Sequence, residues 1–201
     1  MAAQMFRMPL LPRLLLALVC LFTLLPWSGD SMASEPTVVR IDPALRNGRV
    51  EIDADIDIKL NDQLREAAER GLPLYFTADI TITRSRWWWL DSTVADTSMT
   101  WRIVYNALTR QWRAGVGELS LPVRSLDDAM DMIRHIRGWA VADAGDFKPG
   151  VKYEGQLRLR LDTSMLARPF QVNALNSSSW TLSTPWAGFE FAIADEGNRD
   201  R

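Results

Sequence analysis

Hydrophobic and polar residues alternate along most of this chain. Between residues 50 and 60, Val50, Ile52, Ala54, Ile56, Ile58 and Leu60 are separated by Glu51, Asp53, Asp55, Asp57 and Lys59. A strict period of two marks a strand with one buried and one wet face. VVRID (38–42) predicts a short strand before it, and Asn47-Gly48 supplies the turn signal that joins the two. Residues 74–86 alternate again, with Leu74, Phe76, Ala78, Ile80 and Ile82 on one side. VADTSMTWRIVYN (94–106) and QWRAGVGELSL (111–121) read as a hairpin through ALTR, and VKYEGQLRLRLD (151–162) reads as another strand. WAVAD (139–143), FQVNAL, WTLST and GFEFAI predict shorter strands near the end.

Two segments follow a helical period instead. NDQLREAAERG (61–71) has Asn61 to cap it, Leu64, Ala67 and Ala68 on one side, and Gly71 to stop it. SLDDAMDMIRHIRG (125–138) opens with Ser125 and Asp128, which resemble a capping box, and ends in arginines. Seven to nine strands and two short helices predict a mainly β fold, an antiparallel β-sandwich that is immunoglobulin-like in outline. An antiparallel sheet covered by the two helices is the alternative. The helices are too few for a parallel βαβ arrangement.

The first residues change the picture of where the chain works. Arg7 and Arg13 precede the apolar run LLLALVCLFTLL (14–25), and Ser31 and Ala33 then stand at the positions a signal peptidase reads. This predicts a signal peptide over 1–33, cleaved after Ala33, and a periplasmic or secreted mature chain. The run is shorter than the roughly 20 apolar residues of a spanning helix, so membrane contact is expected only if that segment stays uncleaved. Residues 34–192 then form a single β-rich domain, and 193–201 a polar disordered tail. Cys20 leaves with the leader, so neither disulfides nor thiol chemistry are expected. Losing Arg7, Arg13 and Asp30 takes 23 basic and 25 acidic residues to 21 and 24. That acidic balance argues against a nucleic-acid partner.

Catalytic chemistry has few parts to work with. His135 is the sole histidine, and a helical projection places it beside Asp128 and Asp131, on a solvated face without catalytic partners. No catalytic, metal or cofactor-binding residue is therefore expected, and a His/Cys zinc site is excluded. The row Glu51, Asp53, Asp55, Asp57 starts like a calcium loop, but Ile58 stands where glycine is needed. It reads as a charged outer face, on an edge strand protected by its acids or facing Arg158 and Arg160. A paired-carboxylate glycosidase would need one acid in an apolar pocket, and this row looks wet.

Tryptophan is the exception. Trp101, Trp112 and Trp139 stand singly in strands and predict core or core-rim positions. Trp87, Trp88 and Trp89 follow Arg84 and Arg86, and a strand cannot turn three successive indoles inward. Ile80 and Ile82 fix an inward parity that would bury both arginines, so a bulge is expected near Arg84-Ser85, leaving Trp88 outward. Arg84, Arg86, Trp87, Trp88 and Trp89 are thus the candidate interaction surface. They suit an envelope protein partner through protein contacts, or, alternatively, a glycan or cell-wall ligand stacked on exposed tryptophan.

ITRSRWWWLD, WRIVYNALTRQW, SLDDAM and YEGQLRLRLDTSMLARPFQV together resemble the domain-of-unknown-function family 4390 of exported proteobacterial proteins. The likeness covers roughly residues 37–190. Leu166-Ala167-Arg168-Pro169 departs from the Leu-Pro expected there. The resemblance implies a Gram-negative envelope location and a companion role beside a membrane sensor kinase. It brings no activity, substrate or catalytic residue.

Overall fold

The computed structural model of the chain describes residues 35–84, 92–175 and 177–193. Their core is two antiparallel sheets. The smaller has three strands in the order β1 (Thr37–Arg46), β2 (Arg49–Asp57), β7 (His135–Asp143). The larger has six in the order β6 (Leu121–Val123), β5 (Gln111–Val116), β4 (Ser92–Asn106), β3 (Leu74–Arg84), β8 (Lys152–Leu161), β9 (Ala187–Ala192). The expected β-sandwich is therefore what the sequence forms.

Local chemistry explains the frame. Asn47 and Gly48 both take positive φ, 52° and 70°, as the tight β1–β2 turn requires. The period of two in β2 buries Val50, Ile52, Ala54 and Ile56 and turns the acids outward. Leu74, Phe76, Ala78, Ile80 and Ile82 of β3 are all buried, facing Ile103, Trp101 and Ala95 of β4 and Leu161, Leu159 and Leu157 of β8. Each fully buried Ile or Leu contributes roughly 1.5–3 kcal/mol, so this layer carries the sandwich.

Both expected helices form. α1 (Asp62–Glu69) is capped by Asn61, whose side chain accepts from the Leu64 N–H. α2 (Leu126–Arg134) is capped by Ser125, which accepts from the Asp128 N–H. Leu126, Ala129, Met130 and Ile133 bury its apolar stripe. The larger sheet is twice as wide as the smaller, and α2 packs against strands of both.

Four details differ from the sequence expectation. α2 stops at Arg134, and His135–Asp143 is one long strand, because β2 needs a second partner and HIRGWAVAD supplies it. β2 is consequently the middle strand of its sheet and not an edge. FQVNAL belongs to a third helix, α3 (Arg168–Leu175), with Pro169 in its first turn, where the missing N–H is harmless. Its Phe170 and Val172 are exposed while Ala174 is buried, so their alternation did not mark a buried strand face. WTLST forms a 3-10 turn (Ser178–Trp180) and then a single bridge from Ser183 to Arg160.

Candidate functional site

Of the candidate interaction surface, Arg84 is the last residue of β3 and is half-buried. Arg86, Trp87, Trp88 and Trp89 lie outside the described residues, as does the polar tail from residue 194 onward. The pairing of β3 with β4 does shift, between Ile82 and Thr83, and the extra residue is Val94 of β4. That shift falls before Arg84 and on the partner strand; the bulge expected near Arg84-Ser85 runs into residues outside those described. Trp101 and Trp139 are buried and Trp112 is half-buried, at the core positions expected of them.

The outer face of the small sheet is a closed charge network. Asp53 accepts two bonds from Arg46, at 2.9 and 3.2 Å, and one from the Gly138 N–H at 2.7 Å. Opposite Asp53, β7 bulges by one residue; Ile52 pairs with Trp139 and Ala54 with Ile136, leaving Arg137 and Gly138 against one acid. Gly138 takes φ 61° there, which glycine adopts without strain. Asp55 accepts from Arg137 and lies 3.0 Å from His135 Nδ1. That nitrogen carries the proton, because an ionised carboxylate only accepts. Arg46 and Gly138 hold Asp53 below the usual carboxylate range, and His135 and Arg137 do the same for Asp55. His135 is exposed, but its neighbour is Asp55 and not Asp128 or Asp131. Arg158 and Arg160 do not face the acid row either. Each donates from Nε to Asp79, at 3.0 and 2.9 Å, on the other sheet.

The outer face of the large sheet is open. Its strands β3, β8 and β9 set three rows across the surface. Asp79, Arg158 and Trp186 make the first, with the Arg158 guanidinium 4.4 Å from the indole centroid. Thr81, Gln156 and Gly188 make the second, and Thr83, Glu154 and Glu190 the third. An open depression of about 590 Å³ lies over the second and third rows, bordered by Trp186. Beneath it, the Phe189 ring covers Gly155 from the core side, where any Cβ would meet it at 2.6 Å or less. Phe189 joins Phe147, Tyr153 and Phe191 in one aromatic cluster.

Glu154 and Glu190 sit side by side there, but both are exposed and Glu190 pairs with Lys152 at 2.6 Å. A glycosidase acid needs an apolar pocket that keeps its proton, and neither has one. Among the described residues no three His, Cys, Asp or Glu side chains gather to hold a metal ion. Nor is any described helix long and apolar enough to cross a membrane.

The family described as Domain of unknown function (DUF4390) matches residues 33–190, which take in nearly all of the sandwich. The chain belongs to the DUF4390 family. No curated protein matches this DUF4390 chain, and no solved structure matches it. Trp186, Thr81, Gln156 and Gly188 escaped the sequence reading. Their signal was strand parity, which places them on the face opposite Ile80, Leu157 and Phe189.

Proposed function

We propose that this DUF4390 chain is a non-enzymatic periplasmic domain that acts through protein contacts in the cell envelope, with a membrane sensor kinase as its partner. One observation carries the proposal. Most charged groups on the two sheets are engaged in pairs with each other, while Val116, Leu119 and Leu121 stand 39%, 78% and 62% exposed where β5 turns into edge strand β6. Exposed aliphatic side chains grouped at a sheet edge suit a protein partner better than solvent. The Arg84–Trp89 segment, with three successive tryptophans in its sequence, is the second part of the proposed contact surface. The leader supports export; N-terminal sequencing of the mature protein should begin at Ser34.

The experiment is direct binding of the mature domain to the purified extracytoplasmic domain of a sensor kinase from the same genome. Saturable binding is expected, weakened at least about tenfold, or about 1.4 kcal/mol, by Leu121→Asp. No binding to any such domain, together with none to other envelope proteins after crosslinking in intact cells, refutes the proposal.

A further inference from the structure

The geometry points to a second binding site: we propose that the trough on the outer face of β3, β8 and β9 binds an uncharged pyranose ring of a glycan, laid against Trp186. This does not rest on the protein-contact proposal and concerns different residues.

The trough follows from strand geometry. Alternate residues of a strand lie about 7 Å apart on one face. The rows Asp79–Arg158–Trp186 and Thr83–Glu154–Glu190 are thus walls, with Thr81–Gln156–Gly188 as the floor between them. Gly188 keeps the floor low. A Cβ there would meet nothing closer than the Gly155 carbonyl at 4.0 Å, and its φ is not in the left-handed region. A larger residue would fit the backbone and fill the trough.

Trp186 is braced and still accessible. Asp79 fixes Arg158 at 3.0 Å, and Arg158 stacks on the indole, so the ring is held in place before any ligand arrives. The indole is 43% exposed and borders the depression. A held ring loses little freedom on binding, which favours affinity.

The floor and far wall fit the other character of a sugar. Thr81 and Thr83 offer hydroxyls whose own bonds are long, 3.4 Å each. The Gln156 amide makes no hydrogen bond among the described residues, and the Glu154 and Glu190 carboxylates add acceptors. A pyranose has an apolar C–H face for the indole and a rim of hydroxyls for these groups. A cationic peptide fits less well. Arg158 already stacks on the indole as a cation, and Lys152 already neutralises Glu190.

The test is saturation-transfer NMR on the mature domain with tri-N-acetylchitotriose and maltotriose as neutral probes and a tetra-arginine peptide as the cationic one. Transfer to sugar C–H protons is expected, with binding weakened at least about tenfold in Trp186→Ala and in Gly188→Leu, both checked for fold by circular dichroism. Trp186→Phe should retain part of it. Equal sugar binding in wild type, Trp186→Ala and Gly188→Leu would place the ligand elsewhere and overturn the proposal. So would transfer to neither sugar at millimolar concentration, or Trp186-dependent binding of the peptide alone. Leu121→Asp should leave sugar binding unchanged, which separates this outcome from the failure of the protein-contact proposal.

Discussion

An alanine has no room at position 155. The Cβ of such a residue would stand 2.6 Å from Phe189 Cε2 and closer to Cζ. Carbon atoms rest at about 3.5–4.0 Å, so the ring must retreat by roughly 1 Å or more. Phe191 stacks against that ring, with centroids 6.1 Å apart, so any retreat disturbs the aromatic cluster as well. Forcing one methyl into such a place costs about 1–3 kcal/mol. Against this, Gly→Ala within a strand recovers about 0.5–1 kcal/mol of backbone entropy. The net expectation for Gly155→Ala is a loss of about 1–2 kcal/mol. For a domain of this size that lowers Tm by roughly 2–8 °C. The sharper measurement is a double-mutant cycle with Phe189→Ala, read by urea denaturation. Without the ring, Gly155→Ala should be neutral or stabilising by up to about 1 kcal/mol, giving a coupling of about 1–3 kcal/mol. Additivity within about 0.5 kcal/mol would refute the claim that Phe189 occupies the space over Gly155.

Asn61→Ala removes both the cap of α1 and the Nδ2 bond to the Ser179 carbonyl, so urea denaturation should register a loss of about 1–2 kcal/mol. Trp101→Ala leaves a cavity beside its cross-strand partner Phe76 and should destabilise by about 3–5 kcal/mol in the same assay. Asp53 and Asp55 have lowered pKa in the folded state, so the unfolded chain takes up their protons first as pH falls. Their contribution is complete above the ordinary Asp value of about 3.9 and is lost as pH falls from about 5 through that value towards their folded values. Urea midpoints measured from pH 6 to pH 3 should decline, and Asp53→Asn should flatten that decline; a variant with the wild-type slope contradicts the assignment.

The sandwich was legible because its strands are buried on one face only. Where Ile52 to Ile58 or Leu74 to Ile82 alternate with polar residues, period two leaves no other reading. Phe170, Val172 and Ala174 alternate as well, yet they sit on a helix, because a six-residue window cannot tell a strand from one exposed helical turn. His135 misled for a related reason. The heptad-like spacing of Ile133 and Ile136 continues past Arg134, and only the vacancy beside β2 turns HIRG into a strand. The trough was invisible from sequence because its rows join residues from three strands, and register between strands is set by pairing partners. Trp186 by itself looked like one more aromatic residue; Arg158 and Gly188 give it its setting.

β2 has a history that its final position hides. Asp55 and His135 meet across 80 residues, so β2 stays an edge until most of the domain has been made. During that interval the β1–β2 hairpin is a bare two-stranded ribbon with an uncovered apolar face, marginal alone and prone to pair with another copy. Such an encounter would set Glu51, Asp53, Asp55 and Asp57 against the same four acids. β7 instead brings His135, Arg137 and the freed N–H of Gly138. The acid row therefore selects its partner during folding: it repels its own kind and accepts the one strand that carries protons and positive charge to it.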